Sequence, residues 1–240
     1  MDSNRRGSRF RDLLVESVVV VLSILVAFAL DAWWDSRGER EDLELDLVSV
    51  LEEVSATHAR VVSRVVGYEQ IVEGTEALLE VMDANGEAPA VVIPDTIAFL
   101  ATSLPTLNPR MSALGGFISS GRLATVEDRE LQAKLRELPG QLEDAVRELE
   151  RQREVFFSVH QVELGRDFDM APIVRLVMAV SLPNSEPMLT YGDIRYPNRV
   201  LVRNQTRDRL FSVRQTLDSF HRLDGELSDT ESMLSAHLSR

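Results

Sequence analysis

The sequence predicts an all-α fold in which an N-terminal transmembrane helix continues into an extended antiparallel helical bundle. Three observations carry that expectation. Leu13 to Trp34 is a run of 22 residues that is apolar apart from Glu16, Ser17, Ser23 and Asp31. Residues 39–84 contain no proline, and their apolar side chains recur at alternating steps of four and three, the period of one helix face. No convincing period-two alternation appears, so strands are not expected.

The apolar run comes first. As a helix it covers about 33 Å at 1.5 Å per residue, against roughly 30 Å of hydrocarbon core. Arg5, Arg6, Arg9 and Arg11 precede it, whereas the following flank offers Arg37 and Arg40 among acidic residues. The positive-inside rule therefore places residues 1–12 in the cytoplasm, residues 13–34 in the inner membrane and residues 35–240 in the periplasm. Trp33 and Trp34 suit the outer headgroup level. Ala27-Phe28-Ala29 also satisfies the small-x-small rule of a cleavable signal. Against cleavage, the run continues without Gly or Pro through Leu30 and Ala32 to the tryptophans. Glu16, Ser23, Ala27 and Asp31 fall on one side of the helix, a stripe of small and polar residues suited to a protein contact inside the membrane. The alternative is that Glu16 and Asp31 simply reach the two interfaces.

Two blocks of residues resemble a known family. The run Glu16, Ser23-Ile24-Leu25, Ala27 and Trp33 is similar to the N-terminal anchor of a family of uncharacterised bacterial single-pass membrane proteins, a domain of unknown function; Ser23 stands where those anchors have Gly. Gly121, Leu123, Val126, Leu131 and Leu135 match a second block of the same family, although Leu138 and Pro139 replace its usual two tyrosines. The resemblance covers about a quarter of the chain. It implies an architecture and no catalytic residues.

The remaining elements follow in order. The stripe Leu47, Leu51, Val54, Val61, Val65, Tyr68, Val72, Leu79 and Met82, with His58 and Thr75 as polar members, marks one long helix ending at Asn85-Gly86. Val48, Val62, Ile71 and Leu78 widen it, as in a multi-helix bundle. A loop through Pro89 and Pro94 leads to a short helix from Asp95. Pro109 suits the first turn of a helix running to Ser120, capped by Gly121 in the left-handed conformation. Thr125 with Asp128 resembles a capping box, opening a helix to about Leu164 whose buried face is Leu131, Leu135, Leu138, Leu142, Leu149 and Phe156. Pro139 should kink that helix and Gly165 should end it. A short apolar helix at 173–182 and an irregular loop from Pro183 to Pro197 precede the last helix. Its stripe is Leu210, Val213, Leu217, Phe220, Leu227, Leu234 and Leu238.

The chemistry is sparse. A net charge of -13 argues against nucleic acid, which needs clustered Lys and Arg. The absence of cysteine removes disulfides, zinc-thiolate sites and thiol catalysis. His58 on the core face reads as a polar layer fixing helix register. His160 with Glu163 lacks a second ligand pair. Asp167 and Asp169 fit a helix cap, and Gly115-Gly116 is no phosphate loop. Asn204-Gln205-Thr206 matches a glycosylation sequon by chance. No nucleophile elbow or dinucleotide fingerprint is present. The expectation is therefore a non-enzymatic interaction or scaffold module without a cofactor. It would contact the lipid bilayer and a protein partner or a second copy of itself. The competing expectation is a sensor binding a small molecule between bundle helices.

Overall fold

A computed structural model describes the backbone of residues 4–160 and 193–239, and side chains over 21–34, 37–158 and 193–239. Gly165, the expected 173–182 helix and residues 183–192 lie outside the described residues. The chain divides into two compact units, Met1–Ser49 and Val50–Arg240.

Helix α1 runs unbroken over Asn4–Ala84, so the expected apolar run and the expected first bundle helix are parts of one element. After it come strand β1 (Ala90–Pro94), helix α2 (Asp95–Thr102), helix α3 (Ser112–Ser119) and a 3-10 turn (Arg122–Thr125). Helix α4 (Arg129–Val155) passes into a π-helical turn (Phe156–His160); strand β2 (Asp193–Pro197) and helix α5 (Val200–Leu238) complete the described elements.

Within the second unit three long helices form an antiparallel bundle. Ser55 and His58 of α1 meet Glu231 and Asp224 of α5, while Asp83 of α1 meets Arg207, so position along α1 rises as position along α5 falls. Helix α4 is likewise antiparallel to α5: Lys134 meets Glu226 near one end, and Gln152 meets Ser212 near the other. The core between them is filled by Val54, Val61, Tyr68, Leu78, Leu135, Leu138, Phe220 and Leu227, all nearly inaccessible. Burying each such side chain contributes about 1.5–3 kcal/mol before the entropy of ordering it is subtracted. The Tyr68 and Phe220 rings meet at 5.4 Å between centroids.

The observed seams differ from the apolar stripes in their polar members. On α5 the buried positions from Val202 to Leu234 alternate by four and three apart from the additional Gln205, and Thr206, Arg209, Thr216 and Thr230 are among them, whereas Leu210, Leu217 and Leu238 are only half-buried. The threonines fit because each hydroxyl donates to the carbonyl one turn back, at Val202, Ser212 and Glu226. On α1 most of the expected stripe is buried, from Val54 through Val61, Val65, Tyr68, Thr75 and Leu79 to Met82, but Val50, Thr57 and Ile71 are buried beside half-buried Leu51, His58 and Val72, and Val48 and Val62 are exposed. The α4 face Leu131, Leu135, Leu138, Leu142, Leu149 and Phe156 is buried as expected.

The expectation of no strands is overturned. Strands β1 and β2 pair antiparallel, with Ala90 opposite Pro197 and Pro94 opposite Asp193. Residues 193–197, expected as irregular loop, are thus one arm of a ribbon. Val91, Ile93 and Tyr196 point into a small core with Leu78, Met82, Ala98 and Val202. Pro94 and Pro197 sit at strand ends, where a missing N–H is tolerated.

Local caps confirm one expectation and move two others. Gly121 has φ +79° and closes α3, with its N–H donating to Ile118. Helix α3 starts at Ser112 rather than near Pro109, because Glu53 of α1 reaches its open end: the Ser112 and Leu114 N–H groups donate to this carboxylate at 2.6 and 3.0 Å. Thr125 does not cap α4. Its hydroxyl donates to the Arg122 carbonyl, and Asp128 is the cap, accepting from Glu130 and Leu131 N–H. Helix α4 continues through Pro139 to Val155 and passes into the π-helical turn Phe156–His160; the expected end near Leu164 lies outside the described residues.

Candidate functional site

Two arrangements stand out when each expected residue is placed. The first is on the N-terminal part of α1. Ser23, Ala27 and Asp31 are exposed, and Glu16 lies on the same helix among residues whose side chains are outside the description. The surrounding side chains are apolar and open on every side: Leu22 is 60% exposed, Leu25 59%, Phe28 68% and Trp34 69%. A helix in water buries one face and shows the other. Here no face is buried. Among the described residues no helix is long and apolar enough to cross a membrane. The described side chains begin at Val21, so they include only the later part of the expected span 13–34.

The second arrangement ties α1 to α5. Position 58 faces α5 along the edge of the seam, and His58 there sets each ring nitrogen against a different carboxylate. Nδ1 lies 2.8 Å from Glu231 Oε2 and Nε2 lies 3.0 Å from Asp224 Oδ1. A neutral imidazole donates from one nitrogen only, so both contacts are hydrogen bonds together only in the imidazolium form. The Ser55 hydroxyl donates to the other oxygen of Glu231 at 2.6 Å. These bonds, from Ser55 first and His58 second, hold the Glu231 carboxyl below the usual glutamate range. Asp224 and Glu231 are seven residues apart, hence on one face of α5. The expected polar layer is present, and its partners were missed because two acids at heptad spacing on a charged helix carry no local mark.

The chemistry available to this cluster is that of a tie. Ser55 donates to Glu231 rather than to the imidazole, and the lowered pKa of that carboxyl makes it a weak base toward the hydroxyl proton. Among the described residues no group of three His, Asp or Glu side chains is placed to hold a metal ion. His160, Glu163, Asp167 and Asp169 lie where side chains are outside the description. Gly115 and Gly116 sit inside α3 with open space around them, and Asn204 and Thr206 belong to α5.

Further ties close the far end of the seam. Asn198, buried at the start of α5, donates its amide to the Met82 carbonyl at 3.1 Å, satisfying the last turn of α1. Arg207 meets Asp83 at 2.6 Å and Arg203 donates to the Gly86 carbonyl. Helix α1 has no basic residue in its own last turn, so α5 supplies the cations that favour a helix C-terminus. Between α4 and α5 runs an open groove of about 420 Å³ lined by Gln141, Asp144, Glu148, Gln215, Arg222 and Glu226.

No protein-family model, no curated protein and no solved structure matches the chain.

Proposed function

We propose that the chain is a single-pass protein of the bacterial inner membrane whose helical bundle acts in the periplasm as an interaction or scaffold module. The observation that carries this reading is the exposure of Val21–Trp34 on all sides of α1. Contiguous apolar surface of that extent is unfavourable in water and matches a lipid solvent. The arginines at positions 5, 6, 9 and 11 support a cytoplasmic N-terminus, and the resemblance of the Glu16 to Trp33 run to single-pass anchors supports the same topology. The filled, cross-tied seam between α1 and α5 supports a rigid module rather than a catalyst.

On this reading partner contact or self-association runs through Glu16, Ser23, Ala27 and Asp31. Small side chains there let a second helix approach closely. Replacing Ser23 and Ala27 by Leu should weaken crosslinking in membranes while the protein still resists alkaline extraction. Unchanged crosslinking would remove the stripe from the reading. A C-terminal reporter active only in the cytoplasm would overturn the topology itself. The groove between α4 and α5 favours the second reading, a small-molecule sensor, because its volume is in the range of ligand sites; its mostly polar lining is unlike theirs.

A further inference from the structure

The seam between α1 and α5 is crossed by two kinds of cation. Glu69, Glu76 and Asp83 repeat at heptad spacing along α1, and Arg207, Arg214 and His221 repeat at the same spacing along α5. They face each other in antiparallel order, Asp83 with Arg207 at 2.6 Å, Glu76 with Arg214, and Glu69 with His221 at 3.9 Å. Toward the other end of α5 the sense of the charges reverses. There His58 of α1 is the cation, and Asp224 and Glu231 of α5 are the carboxylates. Guanidinium groups keep their charge at any pH at which a protein stays folded, whereas an imidazole changes charge between about pH 5 and 8.

The His58 side chain is 21% exposed and the side chain of each partner acid 34%. Among the described residues these two carboxylates are the charged groups within ion-pair distance of the ring. Lys134 of α4 is engaged with Glu226 and Asp229, and Glu53 of α1 with the open end of α3. Loss of the ring proton leaves one donor for two acceptors, and the nitrogen that gives it up turns its lone pair toward a carboxylate oxygen. The ring cannot swing away from that oxygen without breaking the bond on its opposite side. Glu231 stays ionised throughout the range in which the imidazole titrates, because its carboxyl is held below the usual glutamate range.

We propose that the α1–α5 seam is a proton-controlled clasp, closed at one end by arginine at every pH and at the other by His58 only while its imidazole is charged. The neutral ring keeps the shorter contact, from Nδ1 to Glu231 at 2.8 Å, and sets its Nε2 lone pair against Asp224. The clasp is therefore complete toward acid and loosens as the pH rises. The bundle gains a segment whose firmness follows the proton concentration outside it.

The test is amide hydrogen exchange of the full chain in detergent micelles at about pH 5.5 and about pH 8, corrected for the intrinsic exchange rate and read separately over residues 203–216 and 221–234 of α5. Raising the pH should lower protection over 221–234 by about two- to fivefold and leave 203–216 unchanged. His58→Gln, uncharged at both pH values, should remove the difference. Asp224→Asn, which can offer an N–H to the neutral ring, should remove it as well, while His221→Gln should leave most of it because that contact is long and half-exposed. No change in wild type, an equal change in both stretches, or a difference of full size in His58→Gln would overturn the proposal.

Discussion

Two stretches of one helix, Val21–Trp34 and Val50–Met82, obey opposite rules. The first is apolar apart from Ser23 and Asp31 and buried nowhere; the second is apolar along one side only, and that side is packed. Both are continuous α-helix, so backbone propensity does not separate them. What separates them is how the apolar side chains are distributed around the helix. A stripe with charged flanks can satisfy water and a protein core at once, whereas a helix apolar all round is stable only where every direction is apolar.

The largest test attacks the first stretch. Leu25→Arg places a cation in the middle of the run, where the transfer cost is about 2.5–3.5 kcal/mol. The fraction of protein resisting alkaline extraction should fall sharply. Full retention would mean that Val21–Trp34 is not solvated by lipid, and the contrast between the stretches would collapse.

Next in size is a pair of glycines in the second stretch that look alike in sequence. A Cβ at Gly74 would stand 2.5 Å from Leu100 Cβ, because α2 crosses α1 there. A Cβ at Gly67 would meet nothing within 4 Å. Gly74→Ala should therefore cost about 1–3 kcal/mol by overpacking. Gly67→Ala should add about 0.5–1 kcal/mol through helix propensity. Urea unfolding of the bundle reads both; the same sign for the two would show that packing around α1 is not as described.

The smallest effect appears only in acid and sharpens the account of the α1–α5 tie. Glu231 has its carboxyl held below the ordinary value near 4.3, so its bonds to Ser55 and His58 contribute in full above that pH. They are lost as pH falls through the lower folded-state value. Glu231→Gln should lower the melting temperature by its full, constant amount in the neutral region and flatten the acid limb, so that the difference from wild type shrinks as pH falls below about 4.3. An unchanged acid limb would mean that the tie contributes nothing measurable, as many half-exposed ion pairs do.

Much of the helical frame is legible one element at a time. The α4 face from Leu131 to Phe156, the start of α2 at Asp95 and the left-handed Gly121 all follow from spacing and turn chemistry within a few residues. The candidate contacts are less legible. His58 is visible as a polar interruption in an apolar stripe, but Asp224 and Glu231 look like any other acids on a helix of this charge. The ribbon escaped because each strand is five residues long and ends in proline, and only the partner about a hundred residues away makes either one a strand.

The sequence by itself determined where most of the described helices run, which stretch is apolar on nearly every side and where the backbone must turn left-handed. Those properties depend on side chains within a turn or two of each other. Tertiary structure alone decided that Gly74 is a contact and Gly67 is not, that Glu53 caps a helix it does not belong to, and that Arg209 sits inside the seam. Each of these depends on which distant element lies opposite, and a one-dimensional pattern records the face a helix offers without recording what will be packed against it.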